Sequence, residues 1–245
     1  MLDGEVVGCC SGVAYDDTYG FIGYYIVDPA HRGMGYGLPL FKRALARLGS
    51  DRNIGLDGEH EQVGNYVKSG FTSHYESVRF KIEVQDFSRL HGQHVHVLVS
   101  SREMDMAAIA AYDAKSHATP RPRLLEEWAC IAGTIGFVAV AEGGAIIKGY
   151  GFMRPLADAE TNGWRIGPLV ADSPGVAAAL LQRFCQQLST TTALYLDVPD
   201  ANANALALMD TVCATRVHAC TRMYNHSPPA VAMHKCFAHL SLEVG

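Results

Sequence analysis

The chain has 245 residues, which at about 150 residues per domain sets an expectation of one to two domains. Apolar residues make up 49%, enough for one or two packed cores, and charged residues only 18%, below the usual ~25%, which argues against long disordered charged tails. The formal charge of −5 argues against a general nucleic-acid binder, which needs a basic face to neutralise phosphates.

The N-terminus, MLDGEVVGCC, has no basic segment followed by an apolar one, and no apolar run approaches the ~20 residues that span a bilayer. The expected location is cytoplasmic, with no membrane partner. Residues 5–15 and 19–27 are β-branched and aromatic and predict two strands joined by a turn at Asp16-Asp17-Thr18. Leu38, Phe41, Leu45 and Leu48 recur at spacings of three and four and predict a helix stopped by Gly49-Ser50. A short strand at Asn53–Leu56 follows, then a helix over 59–68 with Gly70 as its C′ glycine, then a strand pair around 71–84. Residues 85–94 are mostly polar and predict a linker.

After the linker the pattern restarts. Val95–Val99 is a strand, Met104–Ala114 and Leu124–Ile131 are helices, and Gly136–Ala141 with Ala145–Met153 form a hairpin around Glu142-Gly143-Gly144. Trp164–Val170 is a strand. Ser173 and Pro174 supply the N-cap and first position of a helix through Leu188. Ala193–Val198 is a strand, Ala201–Val212 a helix and 217–225 a final strand. The two halves share the order hairpin, strand, loop, helix, strand, helix, strand, which points to duplication of one α/β unit. The second copy has a strand and two helices (95–131) ahead of its hairpin and the first has no equivalent. The expectation is a truncated product, or a gap filled by another chain, a homo-oligomer included.

Seven cysteines at positions 9, 10, 130, 185, 213, 220 and 236 contain no CxxC pair, which points to buried free thiols in a reducing compartment. Cys9 and Cys10 are adjacent on a strand and face opposite sides. His91, His94 and His96 form one small cluster and His234, Cys236 and His239 another. Neither has a zinc spacing, and both are expected in solvated loops. Trp128 and Trp164 are read as core, with a pocket wall as the alternative.

The most informative stretch is Tyr25-Ile26-Val27-Asp28-Pro29-Ala30-His31-Arg32-Gly33-Met34-Gly35-Tyr36-Gly37. A strand runs into alternating glycines that open a helix. Free N–H groups at a helix N-terminus and glycines without a Cβ make a site for a phosphate-bearing ligand, and Arg32 adds a charge. It is not a phosphate loop of the Gly-Lys-Ser/Thr type, since Leu38-Pro39 follow Gly37, nor a dinucleotide GxGxxG, since the glycines alternate.

The pattern VxPxxRGxGxG, carried by Val27, Pro29, Arg32, Gly33, Gly35 and Gly37, resembles the acetyl-CoA loop of the GNAT acetyltransferase superfamily. Tyr66-Val67-Lys68-Ser69-Gly70-Phe71 resembles that superfamily's YxKxGF signature. The resemblance covers residues 5–84. It implies an α/β (α+β) fold of two GNAT-like domains, each a mixed, mostly antiparallel sheet flanked by helices, at 1–85 and 94–228, with a tail at 229–245. It implies acetyl-CoA as co-substrate and no metal. The main chain of Ile26 and Val27 would pair with pantetheine, the loop amides of Arg32, Gly33, Met34, Gly35, Tyr36 and Gly37 would take the pyrophosphate, and Tyr66 would be the general acid. The implied function is acetyl transfer to a small-molecule or protein amine. The alternative is a non-catalytic CoA-binding or regulatory module. No general base is assigned among Asp16, Asp17, Glu59 and water. In the second half, Gly163–Ser173, Asp197-Val198-Pro199 and Arg222-Met223-Tyr224 resemble the C-terminal domain of tandem GNAT proteins, but the RGxGxG is missing and Asp172 is expected to repel phosphate.

Overall fold

Asp16 closes the first hairpin because its short side chain can take the place of a main-chain acceptor. Its Oδ1 accepts the N–H groups of Thr18 and Tyr19 at 2.7 and 2.9 Å and the Thr18 hydroxyl at 2.8 Å. The computed structural model describes the whole chain except Met1, Asp3, residues 85–89, 91–96, Met104, Gly144, Ala145 and 157–162; for Val97 and Leu98 it describes the backbone. The described residues form two compact units.

The first unit comprises residues up to His74 together with Cys220–Pro229 and Leu242–Gly245. Strands β1 (Gly8–Ala14) and β2 (Tyr19–Val27) pair antiparallel. Helix α1 (Gly37–Leu48) then carries the chain to β3 (Asn53–Glu59), parallel to β2. Helix α2 (Val63–Lys68) follows a 3-10 turn at His60–Gln62. Gly70, at φ +91°, is the expected glycine beyond its end. Ile22, Phe41, Leu48, Ile54, Leu56, Tyr66 and Phe71 form the core of this unit.

The sheet of this unit is completed from far along the chain. The second half of β10 (Thr215–Tyr224) pairs antiparallel with β3, Cys220 opposite Glu59 and Tyr224 opposite Gly55. Met223 enters the core. Arg222 makes a two-pronged ion pair with Asp57, at 2.8 and 2.7 Å.

The second unit comprises Tyr75–Ala219 and Ala230–Ser241. Strand β4 (Thr72–Glu83) is one continuous strand, not the expected pair around 71–84, and from Ser77 to Glu83 it pairs without a break with β9 (Ala193–Pro199). The sheet continues through β8 (Gly163–Ala171), β7 (Ile147–Pro155), β6 (Ile135–Val140) and β5 (Val97–Ser100). Helix α5 (Pro174–Cys185) lies against β6, β7 and β8, capped by Ser173 with Pro174 in its first turn, as its sequence demands. Helices α3 (Met106–Asp113) and α4 (Pro122–Cys130) pack together and are joined by the buried pair Arg121–Asp113, 2.9 Å. Helix α6 (Ala203–Thr211) packs on β9.

The units do not follow the expected cut after residue 85. The chain leaves the first unit inside β4 and re-enters it inside β10. The expected linker 85–94 lies outside the described residues except for Leu90, which is buried in the core of the second unit. The expected tail is not a tail. Residues 230–241 carry β11 (Cys236–Ala238) and bury Phe237 and Leu240.

Candidate active site

The site is made by two strands that start parallel and then part. β2 pairs with β3 only from Tyr19 to Ile22, against Asn53 to Leu56. Beyond Ile22, among the described residues, β2 is paired as a strand with β1 alone, and the main chain of Glu243 lies close against Gly23, where a Cβ would overlap it. A bulge sits in that stretch. Cys9 lies opposite Ile26 and Ser11 opposite Gly23, so Cys10 alone faces Tyr24 and Tyr25. Tyr24 takes φ +47° there. The extra residue shifts the alternation of side chains. Ile22 faces the helices, and after the bulge Tyr25, not Tyr24, packs against that core.

Past β2 the loop is fixed by its own side chains. Asp28 caps a 3-10 turn at Pro29–His31 by accepting the Ala30 N–H at 2.8 Å. Arg32 Nε turns back to donate to Val27 O at 3.0 Å. Gly33 and Gly35 sit at φ +76° and +84°, the left-handed region that other residues enter only with strain. Helix α1 then begins at Gly37 with no side chain capping it. Its first N–H groups are left for an anion. Gly37 has no room for a Cβ, which would stand 2.5 Å from the Tyr25 hydroxyl.

The parted strands, the loop and the helix end enclose a cleft of about 690 Å³. Tyr66, Ile26, Val27, Arg32, Gly33, Gly35, Tyr36 and Gly37, all named from the sequence, line it. Met34 does not: its side chain is exposed and lies outside the lining. The cleft also takes in residues the sequence reading left unassigned, Tyr25, His31, Leu38, Glu61 and Gln62. A second cleft of about 660 Å³ shares Tyr25, Leu38, Gln62 and Tyr66 with it and has Lys42 and Lys68 in its wall.

Tyr66 is only 8% exposed, with ring centroids 5.6 Å from Phe41 and 6.5 Å from Tyr25. Gly58 permits this position, since a Cβ there would stand 2.8 Å from the Tyr66 ring. Among the described residues the Tyr66 hydroxyl makes no hydrogen bond. Burial, followed by the nearby Tyr25, Cys10, Cys220 and Glu59, pushes its titration upward, so it keeps its proton. Of the three carboxylates considered as base, only Glu59 lines the cleft; Asp16 is in the hairpin turn and Asp17 pairs with Arg52 at 3.2 Å.

Cys10 packs against the core and burial pushes its thiol up to about 11, whereas Cys9 is exposed and donates to Tyr24 O. Only Cys185 and Cys220 are buried, because strand alternation and helix ends bring Cys9, Cys130 and Cys213 to the surface. Trp128 donates to Gly167 O at 2.9 Å under the Arg154 guanidinium, and Trp164 packs on the core of the second unit. Asp172 is not a bare repelling charge. It accepts from the Tyr112 hydroxyl at 2.9 Å and Lys235 at 3.1 Å, with Lys148 at 3.5 Å. His91, His94 and His96 lie outside the described residues. His239 is buried against Tyr75, not solvated.

Two family models match the chain, one described as Acetyltransferase (GNAT) family over residues 1–71 and one as Acetyltransferase (GNAT) domain over 109–238. The chain is 31% identical over 247 residues to holothin acyltransferase of Pseudoalteromonas sp. (strain SANK 73390), covering all of this chain and 79% of that one. Among solved structures it is similar to a candidate acetyltransferase of Pyrococcus horikoshii, with a TM-score of 0.80 and 25% identity over 100% of this chain and 78% of that one. A tandem GNAT protein from the clavulanic acid biosynthesis pathway shares the fold at a TM-score of 0.60 and 14% identity, over 93% and 82% of the two chains. With a mixed sheet flanked by helices and matches of this extent, the chain belongs to the GNAT acetyltransferase family and is an acyltransferase.

Proposed function

We propose that the protein moves an acetyl group from acetyl-CoA to an amine. One observation carries this reading: the parted β2 and β3, the uncapped start of α1 and the unpartnered Tyr66 hydroxyl open onto the same cleft. Donor and residues fit. The edge of β2 that β3 has left, at Ile26 and Val27, matches a pantetheine arm, with the Val27 carbonyl already accepting the Arg32 Nε–H, and the N–H groups from Arg32 to Gly37 match a pyrophosphate.

In this reading a main-chain N–H near Val27 polarises the thioester carbonyl. The neutral amine attacks the carbonyl carbon, the C–S bond breaks, and the thiolate takes its proton from Tyr66. The tyrosine regains a proton from the acceptor nitrogen, directly or through water, so the products are an amide and free thiol. The two halves act as tandem GNAT domains of which the first carries the donor. A cytoplasmic location is part of this proposal; separately, no helix among the described residues is long and apolar enough to cross a membrane.

The acceptor is a small-molecule or protein amine, and the name of the 31% identical relative makes holothin the first compound to try. The test pairs calorimetric titration of acetyl-CoA with release of free thiol against holothin and a panel of amines. Saturable binding with amine-dependent thiol release is expected. Binding without release against any acceptor would favour a non-catalytic CoA-binding module, and absence of binding would remove the donor assignment.

A further inference from the structure

The loop that lines the cleft carries a titratable side chain whose hydrogen bonding decides what it can offer a phosphate. His31 ends the 3-10 turn and lines the cleft beside Arg32, Gly33 and Gly35. Its Nδ1 lies 3.2 Å from Asp28 Oδ1, the oxygen that also accepts the Ala30 N–H. The Asp28 carboxyl is held below the usual carboxylate range, first by the His31 hydrogen bond, then by Ala30 and the charges of His31 and Arg32. An ionised carboxylate only accepts, so Nδ1 is the nitrogen that carries the hydrogen. A neutral imidazole has one N–H. With that one committed to Asp28, Nε2 presents a lone pair, which repels a phosphate oxygen. The imidazolium keeps the Asp28 bond and gains an Nε2–H donor.

The surroundings set the electrostatics of this step. Asp28 is on the ring's own turn, and the Tyr36 ring centroid lies 6.4 Å away. Arg32 is next in sequence, its Nε turned away onto Val27 O. Glu59 and Glu61 line the same cleft. A pyrophosphate arriving here adds negative charge beside a ring that can take up a proton, and no charge of the loop itself has to move.

We propose that His31 is a proton-linked phosphate ligand: the protein takes up a proton at His31 Nε2 when a pyrophosphate-bearing donor binds, so donor affinity rises as pH falls. This rests on the donor site read above. The sign follows from linkage, since a group that binds its proton more tightly in the complex weakens the complex as pH rises.

The experiment uses dephospho-CoA, because a phosphate monoester titrates near pH 6 and would add its own proton exchange. Binding heats are measured at pH 7 in buffers of different ionisation enthalpy, and affinity is measured at pH 6 and pH 8. Wild type is expected to take up a fraction of a proton and to bind about threefold or more weakly at pH 8 than at pH 6, within the tenfold per pH unit that one proton allows. His31→Gln should lose both effects. Asp28→Asn lets the neutral ring turn its N–H to the ligand, so it should bind at pH 8 at least as tightly as wild type while taking up less proton. Buffer-independent heats in wild type, or undiminished uptake in His31→Gln, would overturn the proposal and leave the pair as a brace for the turn. Failure of wild type to bind dephospho-CoA and acetyl-CoA alike would overturn the donor site, and this proposal with it.

Discussion

Tyr66 has a buried ring and a hydroxyl that makes no hydrogen bond among the described residues, so removing the oxygen tests chemistry with little change in packing. If it protonates the departing thiolate, Tyr66→Phe should lower kcat by about 10²-fold or more while acetyl-CoA affinity stays near wild type. Undiminished kcat across pH would remove Tyr66 from the mechanism. Gly35 tests the loop. At φ +84° any side chain is strained, so Gly35→Ala should weaken acetyl-CoA binding by the ~1–2 kcal/mol of a left-handed residue, whereas Gly35→Asp also sets a carboxylate against the pyrophosphate and should abolish it. Near-wild-type affinity of the Asp variant, read by calorimetry, would sink the site. These two residues were legible because their neighbours form dense local patterns, RGxGxG and YxKxGF. Tyr25 was not, since a period of two places Tyr24 on the core face and only the bulge opposite Cys10 moves Tyr25 there. Met34 is expected in the site through its main-chain amide, and its exposed side chain is not among those that line the cleft.

The strand pair that opens in the first unit, where the Glu243 main chain lies against Gly23, has a counterpart in the second, and there a strand, β11, fills the opening. β8 pairs with β9 only from Gly163 to Ile166, against Ala193 to Leu196. Beyond that point β11 runs antiparallel along β8, Cys236 opposite Val170 and Ala238 opposite Leu169, and the His239 N–H donates to Asp197 O of β9 at 2.8 Å. Asn202, which caps α6, holds this segment through His234 O and Cys236 O. A side chain at Gly167 would overlap the carbonyls of His239 and Leu240. Calorimetry should therefore give one acetyl-CoA per chain, and a stoichiometry of two would contradict it. The sequence leads to the same expectation through Asp172, but that carboxylate is matched by Lys235, Lys148 and Tyr112. Burial acts to raise it, and the hydrogen bonds from Lys235 and Tyr112, with the two lysine charges, hold it below the usual range. β11 itself was not legible: three residues carry no periodicity, and its partners are set by tertiary packing.

Across the whole molecule the repeated element order is readable because strands and helices have local periods, but the pairing of those strands is not local. The segment TRVHACTRMY reads as a strand from its composition, yet nothing in it says that Cys220 will lie opposite Glu59. The consequence is a first unit that the first half of the sequence cannot build alone. Asp57 is buried, and its partner is Arg222, whose guanidinium also lies 4.9 Å from the centre of the Phe21 ring. Met223 fills the core, and Cys220–Tyr224 cover the edge of β3. A fragment ending at residue 85 loses all of these. It keeps a carboxylate without its cation, for which breaking a buried pair costs about 3–5 kcal/mol, together with an open sheet edge and a hole where Met223 packs. Against a typical domain stability of about 5–15 kcal/mol, such losses leave little or nothing. The fragment is therefore expected to give poorly dispersed amide resonances and no cooperative thermal transition, and to bind no acetyl-CoA although it contains every glycine of the loop. Arg222→Ala in the full chain should show part of the same loss as a lowered Tm. A fragment that melts cooperatively and binds acetyl-CoA would mean that β1, β2, β3, α1 and α2 suffice, and that the strand contributed from residues 220–224 is dispensable to the donor site.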